Sequence, residues 1–246
     1  MTPASVLVIV PARLGATRLP GKPLADIHGE PMIVHVWRRA VAAGIGRVAV
    51  ATDSPEIADA VRQVGGEWVM TSPDHANGSS RVEEAARLLD PDAKCGVVVN
   101  LQGDLPTVEP RALAACLDPL ADPAVDIATI AATIARPGER EDENVVKIAG
   151  FEVGERRMRA LYFSRAPIPF GPGPLFHHIG VYAYRRAALA RYVALPPTAL
   201  EARERLEQLR ALQAGMRIDV AIVDAVPIGV DTPADLERAR AALARS

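Results

Sequence analysis

The chain has 246 residues, 49% of them apolar, and its 28 basic and 30 acidic side chains leave a net charge of −2. That is enough apolar material for one large α/β domain with a sizeable core, and the balanced charge excludes the basic face of a general nucleic-acid binder. Two cysteines, Cys95 and Cys116, make no metal spacing and at most one bridge, so the expected setting is a reducing cytoplasm.

The apolar run 6–10 is short and β-branched, which suits a strand buried on both faces. It is too short for a membrane span or a leader, and no membrane association is expected. Residues 32–43 place apolar side chains at 32, 33, 36, 37, 40 and 41, the spacing of a helix with one buried face. A strand at 47–51, a helix after Asp53-Ser54-Pro55, a short strand at 67–70 and a helix from about Ser80 follow. Residues 96–101 form a second apolar strand, with a helix beginning near Pro110.

This alternation predicts an α/β fold: a doubly wound, mostly parallel sheet with helices on both faces. Ligands of such sheets sit at the carboxyl ends of the strands. From Arg136 the rhythm breaks. Residues 136–144 are polar and read as a loop, and 167–174 hold four prolines and two glycines. A strand is expected at 178–184, one helix over 200–214 and a strand at 217–223. Thr232-Pro233 opens the last helix, with Thr232 as N-cap and Asp235 at the third position. With no separating linker, 1–246 is read as a single domain, and 136–185 as an irregular sub-region suited to dimerisation and substrate binding.

The loop after the first strand carries the strongest chemistry. Residues 11–23 contain Arg13, Arg18 and Lys22 with Gly15 and Gly21. Glycines let backbone N–H groups approach an anion, and the cations neutralise phosphate charge. Gly15 and Gly21 fit neither the dinucleotide fingerprint nor the P-loop, whose lysine precedes Ser or Thr rather than Pro23. After the 96–101 strand, Gln102-Gly103-Asp104 offers a carboxylate fit for a hard cation or for an ordinary turn. Asp231 has the same two readings, though Thr232 already supplies the cap. His178 and Tyr182 on a strand, and Glu207 and Gln208 on a helix, are by themselves as consistent with core and surface roles. A guanidinium at Arg81 suits a carboxylate ligand. Gly103-Asp104-Leu105 is not the Asp-x-Asp pair of a metal-dependent glycosyltransferase.

Taken together, several blocks resemble the cytidylyltransferases for acidic sugars, the CMP-Kdo synthetase family most closely (Kdo is 3-deoxy-manno-octulosonate). They are Arg13-x-x-x-Thr17-Arg18-Leu19-Pro20-Gly21-Lys22-Pro23-Leu24, Val50 to Asp53, Asp74-His75 with Gly78 and Arg81, Asn100 to Pro106, Ala160 to Arg165, His178 to Tyr182, Leu206 to Arg210, and Gly229 to Glu237. Nearly the whole chain is covered. The resemblance implies transfer of CMP from CTP to a 3-deoxy-sugar acid in lipopolysaccharide synthesis, with Mg²⁺ as cofactor and a homodimer as the assembly. It implies Arg13, Lys22, Asp104 and Asp231 as catalytic, with Asp104 and Asp231 on the metal. Arg13, Arg18, Lys22, Thr52, Asp53 and Ser79 would take the nucleotide, and Arg81, Gln102, His178, Tyr182, Glu207 and Gln208 the sugar acid. Another ulosonate, such as an amino-Kdo or a sialic acid, is the alternative substrate. Two positions depart from the pattern, Leu105 and Ser80, where the family often carries acidic residues.

Overall fold

A computed structural model describes residues 5–15 and 18–244, so Thr17 of the cation-rich loop lies outside the described residues. The chain divides into two compact units. One comprises the described residues up to Ala114 and those from Pro227 onward, and the other comprises 115–226.

The first unit begins with β1 (Val6–Ala12), whose seven residues are all buried. A 3-10 turn at Lys22–Leu24 and a small hairpin of β2 (Asp26–Ile27) and β3 (Glu30–Pro31) lead into α1 (Met32–Ala42). Then come β4 (Arg47–Thr52), α2 (Pro55–Gln63), β5 (Glu67–Met70), α3 (Gly78–Leu89) and β6 (Val97–Leu101). Helix α4 (Pro110–Ala115) ends at the boundary. The strands run parallel in the order β5-β4-β1-β6, with α1 and α3 packed on β1 and β4, and α2 on β4 and β5. The chain therefore steps outward from β1 to β4 and β5, then returns to the other side of β1 as β6. That reversal leaves a crevice at the carboxyl ends of β1 and β6, where ligands of doubly wound sheets bind.

The second unit is mixed rather than parallel. After β7 (Ile127–Thr133) and a short helix α5 (Pro137–Glu141) come β8 (Lys147–Gly154), β9 (Arg157–Ser164) and β10 (Phe176–Arg185). Helices α6 (Arg186–Val193), α7 (Ala199–Glu204) and α8 (Gln208–Gln213) precede β11 (Ile218–Val223). The order is β10-β7-β11-β9-β8; only β7 and β11 are parallel, and the other neighbours are antiparallel.

Two expectations are corrected here. The segment 136–185 is largely regular, because β8 and β9 form an antiparallel hairpin, and 136–144 contains the one-turn α5. The helix over 200–214 is two helices, because Arg205 adopts a left-handed conformation, φ 55°, that an α-helix cannot continue through.

The chain returns to the first unit through α9 (Pro233–Leu243). Its capping box works as the sequence indicates: Thr232 Oγ1 accepts from the Asp235 N–H, and Asp235 Oδ2 accepts from the Thr232 N–H at 2.9 Å. Val230, Leu236 and Ala239 pack with Ile27 and Met32 in one apolar cluster, which anchors the residues beside Asp231.

Candidate active site

The crevice of the first unit is a cleft of about 380 Å³, a volume typical of small-ligand sites. One wall is the end of β1 and its loop, including Arg13, Gly15, Arg18 and Lys22; another is Gln102, Gly103 and Asp104 after β6. His75, Asn77, Gly78 and Arg81 close a third side at the start of α3, and Asp231 stands before α9.

The backbone explains why these parts meet. Gly21 has φ 67°, a left-handed turn open to glycine, and it starts the 3-10 turn that carries Lys22. A Cβ on Gly103 would lie 2.7 Å from the Pro11 carbonyl oxygen, so only glycine lets the β6 loop pass this close to β1. The Val230 N–H donates to the Asp104 carbonyl at 2.9 Å, which ties the two carboxylate-bearing loops together.

Asp104 and Asp231 converge on one cation. Lys22 Nζ donates to Asp104 Oδ2 at 2.9 Å and to Asp231 Oδ1 at 3.0 Å, and Arg18 Nη2 lies 3.1 Å from Asp231 Oδ2. Burial pulls the Lys22 pKa down, but the Asp104 charge and the hydrogen bonds to both carboxylates outweigh it, and the net shift is upward. The ammonium marks a point where two hard oxygen donors face a positive charge. That donor set fits a divalent cation that takes one or two carboxylates and fills its other positions with water and substrate oxygens. Among the described residues, no cluster of three or more metal-ligating side chains occurs.

Arg81 is buried with two arms engaged: Nη1 donates to Thr71 Oγ1 at 2.6 Å and Nη2 to Asp53 Oδ2 at 2.7 Å. Asp53 thus orients Arg81. Thr52 is fully buried, with its Oγ1 accepting from the Ser54 N–H, and neither Thr52, Asp53 nor Ser79 lines the cleft. Gln102 does line it, and its Nε2 donates to Asn100 Oδ1 at 3.2 Å. Both departures from the family pattern have local roles. Leu105 is buried beside Gly229, and the Ser80 hydroxyl donates to the Asn77 carbonyl and meets His75 Nδ1 at 3.1 Å. His75, Asn77 and Asn100 went unassigned by sequence reasoning. The resembling blocks at 74–81 and 100–106 contained two of them, His75 and Asn100, but nothing distinguished them from loop residues.

The remaining candidates lie in the second unit. The β10 register against β7 shifts between Ile179 and Tyr182, a bulge that re-aims the intervening residues. Thr129 Oγ1 has one proton and points it at the Val181 carbonyl, 2.7 Å away. It must then accept from His178 Nε2 at 3.0 Å, so His178 carries its proton on Nε2. Burial, helped by neighbouring His177, lowers the His178 pKa to about 3. Phe163 meets its ring edge-on at 5.0 Å, and Tyr182 lies at 5.4 Å. The Tyr182 hydroxyl is pushed well above its usual value by burial, with the Tyr192 and Glu207 charges adding. Glu207 and Gln208 stand where α8 begins, just past the Arg205 elbow. That elbow is strapped on both sides: Arg210 forks onto Glu201, and Glu204 accepts from Ser164 Oγ at 2.8 Å and from the Arg165 N–H at 3.1 Å.

The sequence profile of the cytidylyltransferases matches residues 7–218. The chain belongs to the cytidylyltransferase family. A 3-deoxy-manno-octulosonate cytidylyltransferase of Azorhizobium caulinodans is 67% identical over 98% of this chain and 96% of its own length. The protein of the same name from Methylorubrum populi is 66% identical over 97% and 96%. Among solved structures, a CMP:2-keto-3-deoxy-manno-octonic acid synthetase complexed with CTP superposes with a TM-score of 0.90 at 42% identity, covering 98% of this chain and 99% of that one. A nucleotidyl transferase of Methanothermobacter, 15% identical with a TM-score of 0.64, shares the fold alone. The cleft of the first unit thus gathers Arg13, Arg18 and Lys22 with the paired carboxylates of Asp104 and Asp231.

Proposed function

We propose that the chain forms CMP-3-deoxy-manno-octulosonate and pyrophosphate from CTP and 3-deoxy-manno-octulosonate, a step of lipopolysaccharide synthesis. The observation that carries this reading is the cleft at the β1–β6 crevice, where Arg13, Arg18 and Lys22 share one space with the facing pair Asp104 and Asp231. The anomeric hydroxyl of the sugar acid attacks the α-phosphorus and releases its proton to solvent, the bond from the α-phosphorus to the oxygen bridging it to the β-phosphate breaks, and pyrophosphate leaves.

Positioning and charge stabilisation do most of the work in such transfers. Arg13, Arg18 and Lys22 hold the triphosphate. Mg²⁺, held by Asp104 and Asp231, would supply Lewis-acid stabilisation of charge at the transferring phosphate. Gln102 and Arg81 reach the cleft from adjoining walls, with Asn100 and Asp53 fixing their orientation. His178, Tyr182, Glu207 and Gln208 serve the sugar acid. His178 there acts as a neutral hydrogen-bonding group, because its low pKa keeps it uncharged.

The test is pyrophosphate release with each nucleotide and a panel of ulosonates. CTP with 3-deoxy-manno-octulosonate should give the highest kcat/KM, and equal turnover with ATP would refute the assignment. Asp104→Asn and Asp231→Asn should each remove most turnover while the circular dichroism spectrum stays native. A cytoplasmic homodimer completes the reading. Phe151, Leu161 and Phe170 of the second unit are exposed apolar side chains that a second copy could cover. A solution mass near the 26.2 kDa of one chain would count against the dimer.

A further inference from the structure

The carboxylates of the cleft are neutralised from within the chain. Lys22 and Arg18 bring two positive charges to the two negative charges of Asp104 and Asp231. Lys22 is the deepest of these groups, with its side chain 15% exposed against 31% for Asp104 and 47% for Asp231. Among the described residues it is also the one cation that contacts both carboxylates. A lysine ammonium is a compact point charge that hydrogen-bonds the same oxygens a divalent cation would use. The two cations repel, so they cannot hold these oxygens together.

The lysine is mounted so that its side chain alone need move. Its backbone is fixed by the Lys22 N–H to the Leu19 carbonyl at 3.1 Å and by the Leu24 N–H to the Gly21 carbonyl at 2.8 Å. Arg18 is 64% exposed and free to follow. A triphosphate carries more negative charge than the two carboxylates and competes for both cations. When they turn to it, the carboxylates are left bare for a metal ion.

We propose that Lys22 is a resident counter-ion of the Asp104–Asp231 pair, holding the two carboxylates together and keeping divalent cations out until a nucleoside triphosphate draws its ammonium away. The proposal rests on the reading of this pair as the cation site. It makes nucleotide and metal bind with positive coupling, and such coupling is reciprocal: each raises the affinity for the other by the same factor. A lysine that stayed on the carboxylates when nucleotide bound would lower their cation affinity without this coupling.

The experiment titrates the whole protein with Mn²⁺, without nucleotide, and follows the free ion by electron paramagnetic resonance. Lys22→Met should bind Mn²⁺ at least tenfold more tightly than the native chain. Adding Asp104→Asn to Lys22→Met should abolish the gain, and Mn²⁺ should raise the Tm of Lys22→Met more than that of the native protein. Lys22→Gln, which is uncharged but keeps a hydrogen-bond donor, should show the same gain if the methionine variant does not fold. No gain in either variant overturns the proposal. A second titration, of Mn²⁺ with CTP, separates it from the reading beneath it. If Asp104→Asn holds the Mn²⁺–CTP pair as well as the native chain, the carboxylate site is wrong and the proposal falls with it. If Asp104→Asn loses the pair while Lys22→Met gains nothing, only the counter-ion role is refuted.

Discussion

His178 makes the stability of this protein depend on pH in a way that can be calculated. Its imidazole is buried against Phe163 and Tyr182, and its Nε2 proton is directed to Thr129. Burial holds the folded-state pKa near 3, whereas an unfolded histidine titrates at 6.5. Between those values the unfolded chain binds a proton that the folded chain does not, so stability falls as the pH is lowered. Integrating the proton linkage from pH 7 to pH 5 gives a loss of about 2 kcal/mol from this residue alone. Below the folded pKa the loss levels off. His178→Gln removes the titration but keeps an amide that can donate to Thr129. Urea unfolding of both proteins at pH 7, 6 and 5 gives the measurement. The native protein should lose about 2 kcal/mol more than the variant across that range, whatever constant offset the substitution adds. Of the other four histidines, which both proteins share, His177 is the one whose charge is coupled to the substituted position. Parallel stability profiles for the two proteins would show that His178 is already charged or accessible in the fold, and would refute the argument.

Gly103→Ala should destabilise the first unit by about 1–3 kcal/mol, because its Cβ meets the Pro11 carbonyl and neither backbone can yield cheaply. Its kcat/KM should fall even at temperatures where the variant is folded, since the Asp104 loop must move away from β1; unchanged kinetics would show that the loop has slack. Thr232→Ala removes the capping oxygen of α9 and should cost about 1 kcal/mol, a fall of about 2–4 °C in Tm by calorimetry. Because Asp231 is next to the cap, the KM for CTP-metal should rise as well, and a Tm shift without it would separate the cap from the site.

The first unit was legible because its signals are local. The run 6–10, the 3.6-residue spacing of 32–43 and the Thr232 cap each name their own element, and β1, α1 and α9 stand where those signals put them. The second unit was harder because its strands take their partners from far along the chain. Lys147–Gly154 and Arg157–Ser164 alternate irregularly in burial, and the register shifts twice within their pairing, so period-two spacing is broken. Nothing in 200–214 marks Arg205 as a helix break, since arginine is a good helix former; tertiary straps from Glu204 and Arg210 impose it. At the site, the residue types in the two loops after β1 and β6 indicated phosphate and cation chemistry. The sequence could not show that Lys22 faces the carboxylates, because a hydrogen bond across 209 positions has no local signature. Nor could it show that Asp53 accepts from Arg81.

The backbone bond from Val230 to Asp104 has a consequence for synthesis of the chain. It closes a unit whose two parts are separated by the 112 residues from Ala115 to Val226. A ribosome delivers Lys22 and Asp104 before the second unit and Asp231 only after it. Until translation passes α9, the nascent first unit has an open seam beside β2 and α1, with Ile27 and Met32 lacking the cover of Val230, Leu236 and Ala239. The apolar seam should therefore close only when Val230, Leu236 and Ala239 emerge, after the whole of the second unit has been made.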